Sequence, residues 1–161
     1  MFCYQGVFLS IKKIFEQIRR DTDIWRTVTH GHEHGLRVEE YGHLVADTNG
    51  GDRLTISYFA YLHDCQRLSD FDDPCHGARA AAYARQNRRS IDLNNDQFTL
   101  LLRACSGHTY AMPNGKAGLN NTLAACWDAD RLDIGRVGLT VNGKYLFSQI
   151  ARGYSSCESH Q

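Results

Sequence analysis

The sequence predicts an all-α protein, a single-domain bundle of about six to seven helices. Three observations favour it: two prolines in 161 residues, frequent Ala, Leu, Arg and Gln, and apolar residues that recur at helical spacing. The length suits one domain with its own core, and 42% hydrophobic and 22% charged residues are typical of a globular chain. We expect the domain over residues 1–153 and a flexible polar tail over residues 154–161.

Apolar periodicity and capping residues give the order of the helices. The first helix is predicted over residues 11–20, and the second over residues 31–47. The third, over residues 53–64 with Asp52 as its N-cap, is rich in aromatic and β-branched residues, so a strand is the alternative. Its apolar spacing fits a helix better. An acidic loop follows, and the remaining helices are predicted over residues 76–89, 94–106, 120–134 and 144–152.

Charge and cysteine usage narrow the classes of function. Lys+Arg and Asp+Glu both total 18, so no basic excess favours nucleic acid or an acidic membrane surface. No apolar run approaches the length of a bilayer span. The six cysteines include no C-x-x-C pair, and the apolar patch near the N-terminus precedes its basic residues, the reverse of a secretory signal. We therefore expect reduced thiols in a cytoplasmic protein, with neither nucleic acid nor membrane as a partner.

The eight histidines are the unusual feature of the composition. His30 and His34 would lie one turn apart on one face if their segment were helical. His63 and Asp64 end an apolar helix, which delivers an imidazole and a carboxylate to the rim of the core, where a metal ion can bind. Each pattern alone is also compatible with a solvated helix end. His76 and His108 stand at predicted helix ends, where a capping or surface histidine is the commoner interpretation.

The helix predicted over residues 120–134 carries three aspartates, which its periodicity separates. Asp130 shares one face with four apolar residues, Leu119, Leu123, Cys126 and Ile134. A carboxylate on an apolar stripe is costly to bury unless it is paired or bound to metal. Asp128 falls on the opposite face, where we expect it to be solvated, and Asp133 is intermediate.

Taken in order along the chain, these residues resemble the HD-domain phosphohydrolase superfamily. Three motifs carry the resemblance: HGLRV at residues 34–38, LHD at 62–64 and DADRLD at 128–133. It covers about residues 25–150. The resemblance implies a helical bundle with a metal site at its centre, held by His34, His63, Asp64 and Asp130.

The same resemblance implies a hydrolase in which a metal-activated water attacks a phosphate ester. Asp64 would both ligate the metal and orient the water, with His30 and Arg131 as further catalytic residues. Four other residues are expected to bind phosphate or a second metal ion: His76, His108, Arg67 and Arg37. The expected metal is a divalent transition ion (Mn, Fe, Co, Ni or Zn, with Mg a further candidate), as one ion or two. The expected substrate is a small phosphorylated molecule, a nucleotide or a small phosphomonoester.

Two other functions fit the same residues. HD-type oxygenases bind two irons with ligands in the order His, His-Asp, His, His, Asp, and this chain can supply that order from His34 to Asp130. The short separation between Asp64 and His76 argues against His76 as a ligand. A non-catalytic nucleotide-binding sensor is the second alternative, although all four core ligands are present. The arginines between residues 79 and 89 are more simply a solvated helix face than a nucleic-acid site.

Overall fold

The structure is a computed structural model that describes residues 3–113 and 119–157. Seven α-helices make up these ranges, joined by turns and short 3-10 segments, and no strand occurs within them. The all-α prediction is therefore confirmed, and the third helix is a helix rather than a strand. The helices are α1 (Cys3–Asp21), α2 (His32–Asn49), α3 (Arg53–Leu62), α4 (His76–Gln86), α5 (Asn95–Gly107), α6 (Asn121–Leu132) and α7 (Gln149–Cys157).

Side-chain caps fix where the central helices begin. The Asp52 carboxylate accepts from the Thr55 backbone N–H at 2.8 Å and opens α3. Asn94 and Gln97 form a reciprocal capping box at the start of α5, with bonds of 2.9 and 3.0 Å. The Asn120 side chain opens α6 in the same manner. These starts agree with the caps that the sequence predicts.

The core lies between α2, α3 and α6, with α4 packed along α5 at one side. Two glycines allow the close approach of these helices. A Cβ at Gly42 on α2 would collide with the Ile56 side chain on α3, and one at Gly77 on α4 would collide with the Cys105 carbonyl on α5. In the described ranges, every helix is too short or too polar to qualify as a membrane span.

Several helix ends differ from the predicted ones. The first helix extends back to Cys3, beyond the predicted start at residue 11. The fourth ends at Gln86 rather than 89, where Asn87 leaves the helical conformation and its side-chain amide donates to the Tyr83 carbonyl at 3.0 Å. The last helix begins at Gln149 rather than 144 and continues through Cys157, into the predicted tail. Residues 158–161 of that tail lie outside the described residues.

Asp128 explains the late start of the last helix and corrects the expectation that it is solvated. Its side chain is fully buried and accepts from the backbone N–H groups of Phe147 and Ser148, at 2.6 and 2.8 Å. These bonds hold the segment before α7 against α6. The prediction was wrong because residues 122–129 of α6 are buried on every side, so this helix has no solvent face. Burial raises the pKa of Asp128, against its hydrogen bonds with Ser148 and Phe147, which lower it.

We expect Asp128→Ala to lower the free energy of unfolding by about 2–3 kcal/mol, because two backbone N–H groups lose an acceptor inside the protein. Asp128→Asn keeps one acceptor oxygen and should lose about half as much. Equilibrium unfolding in urea measures both, with the exposed Asp72→Ala as the control. A loss below about 0.5 kcal/mol in Asp128→Ala would show that these bonds do not anchor the segment.

Candidate metal centre

Histidine and aspartate side chains from five segments converge at the centre of the bundle. Each segment delivers its group at or near a helix end, except α6, which delivers an aspartate from its interior. The groups are His34 in the first turn of α2, His63 and Asp64 after α3, His76 at the start of α4, His108 after α5, and Asp130 on α6. All are buried except Asp130, which is partly exposed.

The four ligands that the resemblance implies lie together. The Nε2 atoms of His34 and His63 are 3.1 Å apart, and Asp130 Oδ1 lies 3.5 and 3.6 Å from them. Asp64 Oδ2 lies 3.8 Å from His34 Nε2 and 3.6 Å from His63 Nε2. Atoms that share a transition metal at about 2.1 Å are separated by roughly this much, so the distances of His34 and His63 from each carboxylate suit ligands of one ion.

A second group shares Asp64 with the first. Asp64 Oδ1 lies 3.0 Å from His76 Nε2 and 3.5 Å from His108 Nε2, and the two imidazole nitrogens are 2.7 Å apart. The Nδ1 atoms donate to backbone carbonyls of Asp73 and Cys105, at 2.5 and 2.7 Å, which leaves each Nε2 directed at Asp64.

His76 and His108 are therefore neither surface nor simple capping residues, and His76 reaches Asp64 despite the short separation between them in the sequence. The loop between Asp64 and His76 turns back on itself, so that α4 begins beside the end of α5. Gly77 permits this approach, because any Cβ there would also come within 3.1 Å of the His108 ring.

Asp64 shows that the donor set fits a cation. Its Oδ1 atom is buried and has no hydrogen-bond partner of good geometry among the described residues. Burial opposes the ionisation of Asp64 and Asp130, yet the surrounding histidines hold the pKa of both carboxyls well below the usual value. Two carboxylates facing four imidazole nitrogens are ligands that transition metals accept.

The neighbouring thiols do not join this set. Cys65 and Cys105 are free and buried, and burial raises the pKa of both thiols well above the usual value, so they stay protonated. The other two described cysteines, Cys75 and Cys126, are also free thiols. The side chains of Cys3 and Cys157 lie outside the described residues.

His34 is held from behind by a carboxylate. Its Nδ1 donates to Asp133 Oδ2 at 2.7 Å, and Arg37 donates to both oxygens of Asp133 at 2.6 and 3.1 Å. Burial alone would lower the pKa of His34, but hydrogen bonds with Asp130 and Asp133 raise it overall. Arg37, expected at the phosphate or a second metal, instead orients Asp133, because its guanidinium is taken up by that carboxylate.

Arg131 also differs from its predicted catalytic role. Its guanidinium donates to the carbonyls of Tyr145, Ala111 and His108 and lies 5.0 Å from the Phe147 ring centre. Adjacent helix residues point about 100° apart, so Arg131 faces the C-terminal segment while Asp130 faces the centre.

Arg136 reaches the centre, and sequence reasoning missed it. Its Nη2 lies 3.7 Å from Asp130 Oδ1, and its Nε donates to the Thr29 carbonyl at 2.7 Å. It stands in the 3-10 segment Asp133–Val137, where no helical periodicity singles it out. The one feature of the sequence that could have indicated Arg136 is its position three residues after Asp133.

His30 and Arg67 lie against Asp64 on the loops before α2 and after α3. The second helix begins at His32, so His30 precedes it and the condition for a shared helical face with His34 is not met. His30 nevertheless donates from Nδ1 to Asp64 Oδ2 at 2.7 Å. Arg67 Nη1 lies 3.6 Å from Asp64 Oδ1 and 3.2 Å from His76 Nε2.

Comparison with solved structures finds a matching fold. A predicted HD superfamily hydrolase from an uncultured Thermotogales bacterium superposes with a TM-score of 0.68 and 22% sequence identity, covering 92% of this chain and 84% of that chain. At this identity the likeness shows the fold alone: the chain shares the helical fold of that protein, in agreement with the fold that the resemblance implies. No protein-family model matches the sequence, and no curated protein matches it.

We expect Asp133→Asn to weaken metal binding by about 10- to 100-fold, because His34 loses the negative charge that orients it and raises its basicity. Titration of the metal-stripped protein against a chelator of known affinity measures this for Zn and Mn. Asp128→Asn is the matched control, a buried aspartate of the same segment whose hydrogen bonds go to the backbone. Equal affinities in the two variants would contradict the role of Asp133.

Metal binding should weaken as the pH falls and should release protons. The raised pKa of His34 means that the metal-free imidazole stays protonated to a higher pH, and a ligand must lose that proton to bind. We expect the affinity for the metal ion, measured by calorimetry, to rise from about pH 6 to about pH 8, by up to about tenfold per pH unit for each displaced proton. Asp133→Asn should flatten the dependence. A pH-independent affinity over this interval would refute the argument.

Proposed function

We propose that the protein is a metal-dependent phosphohydrolase that cleaves a phosphate ester of a small molecule, a nucleotide or a small phosphomonoester. One observation carries the proposal: the buried carboxylate of Asp64 faces both histidine groups at once, through Oδ2 toward His34 and His63 and through Oδ1 toward His76 and His108. The fold shared with a predicted HD superfamily hydrolase supports the same conclusion.

One divalent ion would be held by His34, His63, Asp64 and Asp130. A second would be held, through the shared carboxylate, by Asp64, His76 and His108. Such an ion supplies Lewis-acid chemistry, because it makes water acidic enough to attack phosphorus near neutral pH and offsets phosphate charge. The four histidines of the centre keep their Nε2 lone pairs available for metal, because their Nδ1 atoms donate to Asp133 or to backbone carbonyls.

Two arginines flank the centre and would bind the phosphate oxygens. Arg67 contacts Asp64, and Arg136 contacts Asp130, so the two guanidiniums stand beside different carboxylates. Both are anchored by backbone carbonyls, Arg67 at Ser69 and Arg136 at Thr29, which fixes their direction before any substrate arrives. A guanidinium held in this manner donates in the fork geometry that suits phosphate.

His30 is the residue we assign to proton transfer. Its Nδ1 donates to Asp64 Oδ2 at 2.7 Å, and its Nε2 lies 3.3 Å from the carbonyl of Asp70, on the loop that follows α3. With Nδ1 held by Asp64, Nε2 is the ring nitrogen that would give a proton to the departing alkoxide. The ester oxygen would replace the Asp70 carbonyl as the partner of that nitrogen.

A second candidate function is favoured by the position of His76 and His108. Because both reach Asp64, the chain provides the six-residue order of the HD-type oxygenases that bind two irons. Elemental analysis and oxygen uptake separate the two functions. Two irons per chain with substrate-dependent oxygen consumption would favour the oxygenase.

The test of the hydrolase is phosphate release from a panel of nucleotides and phosphate esters. Metal-stripped protein is resupplied in turn with Mn, Mg, Co, Ni, Fe or Zn. We expect metal-dependent release that falls by at least about 100-fold in Asp64→Ala and Asp130→Ala, because each variant removes a ligand of the ion. Asp72→Ala, an exposed aspartate on the same loop, should keep wild-type rates. Stoichiometric metal binding without release from any ester would reject the proposal.

A further inference from the structure

Large apolar side chains are exposed on the loops that carry residues of the metal centre. Val28 is 85% exposed just before His30, and Leu68 and Phe71 are 83% and 87% exposed just after Arg67. A fourth residue, Tyr110, is 63% exposed after His108. We refer to Val28, Leu68, Phe71 and Tyr110 as the apolar rim.

Hydrogen bonds join these loops into one mouth around the centre. The loop before α2 meets the loop after α3 where His30 Nε2 lies 3.3 Å from the Asp70 carbonyl. The loop after α5 meets it where the Tyr110 hydroxyl donates to the Pro74 carbonyl at 2.9 Å. Phe71 is tied directly to the site, because its carbonyl accepts from Arg67 Nη2 at 2.8 Å. The loops that carry the apolar rim therefore meet around the metal centre.

Exposed apolar residues that stand singly need no explanation, but several around one polar site indicate a ligand with an apolar part. Every rim residue lies on a loop that also carries a residue of the metal centre. We therefore expect the ligand of the rim to reach the buried imidazoles and carboxylates as well. A small substrate meets both conditions. The flat surface of another protein would reach the rim without reaching Asp64, which is almost completely buried.

The charges at the mouth limit the substrate to few phosphates. The arginines there already face carboxylates: Arg67 faces Asp64, and Arg136 faces Asp130. Asp70 and Asp72 add negative charge to the loop that carries the rim. A single phosphate would be held by the two arginines and the metal ion at the centre. The further phosphates of an extended polyphosphate would meet the negative charge of the loop without another cation.

We propose that the apolar rim binds the organic group of the substrate, and that the preferred substrate is a monophosphate ester of an alcohol bearing an aromatic or bulky apolar group. This inference rests on the proposed phosphohydrolase function and specifies its substrate class. Phe71 and Leu68 determine specificity by contact with that group, while the phosphate is held by the centre.

The test compares 2-phenylethyl phosphate with ethyl phosphate, two esters whose leaving alcohols have similar acidity. For metal-loaded wild type we expect kcat/KM to be at least about tenfold higher for the phenylethyl ester, because a phenyl group is removed from water. Phe71→Ala should erase most of this preference through KM and leave ethyl phosphate within about twofold. The Phe71 backbone bond to Arg67 survives this substitution, and thermal unfolding verifies the fold.

A matched pair of leucine variants provides the control. Leu68→Ala should lower the preference for the phenylethyl ester by several-fold. Leu44→Ala removes a leucine that is 41% exposed on α2, about 15 Å along the helix from His34, and should change neither ester. Equal kcat/KM values for the two esters in wild type, or equal losses for both in Phe71→Ala, would overturn the proposal.

Binding of the matching phosphonates separates this inference from the hydrolase. Calorimetry with 2-phenylethylphosphonate and ethylphosphonate requires no turnover. If no ester is hydrolysed, a preference for the phenylethyl compound that Phe71→Ala removes would retain the apolar rim while rejecting the hydrolase. Equal binding of both phosphonates would reject the rim. The rim would also be rejected as a substrate site if Leu68→Ala and Phe71→Ala changed the oligomeric state and left the phosphonate preference intact. The rim would then be an interface between copies of the chain.

Discussion

The burial of an ionised Asp64 is the constraint on which the rest of the structure depends. A carboxylate inside a helical bundle is unfavourable unless positive or polar groups surround it. Here the surrounding groups come from separate segments, so each must bring a helix end to the same point: α2 for His34, α4 for His76 and α5 for His108. The convergence of helices at the centre follows from satisfying one side chain. The close approach that Gly77 permits between α4 and α5 is part of the same arrangement.

Much of this could be predicted from the sequence because it is encoded locally. A capping residue such as Asp52 fixes a helix start through a hydrogen bond to a residue three positions later. Such a local interaction can be predicted from the sequence without knowing the rest of the fold. Asp130 was selected from its neighbours by helical periodicity, and it does face His34 and His63. Both inferences use distances of one helical turn, over which the chain has little freedom.

The features that sequence reasoning missed depend on how distant segments meet. Asp128 was assigned to solvent because amphipathic analysis assumes one exposed face, whereas the segment before α7 covers that side of α6. His76 was doubted because only eleven residues separate it from Asp64, yet the loop between them brings its imidazole to within 3.0 Å of that carboxylate. Arg131 lies away from its predicted place and the unpredicted Arg136 reaches the centre, because a long side chain acts several ångströms from its backbone, in a direction that neighbouring residues do not report.

The pairing of charges at the centre indicates why a divalent metal and a phosphate ester suit each other here. Three carboxylates are matched by three guanidiniums: Asp64 by Arg67, Asp130 by Arg136, and Asp133 by Arg37. The protein therefore contributes little net charge to the site when its histidines are neutral. A divalent ion added alone would leave that region positive, and a phosphate dianion added alone would leave it negative. One divalent ion and one phosphate dianion bound together restore neutrality inside a poorly hydrated centre, where uncompensated charge is most costly. Since charge then selects only the phosphate, discrimination among esters is left to the uncharged side chains at the mouth.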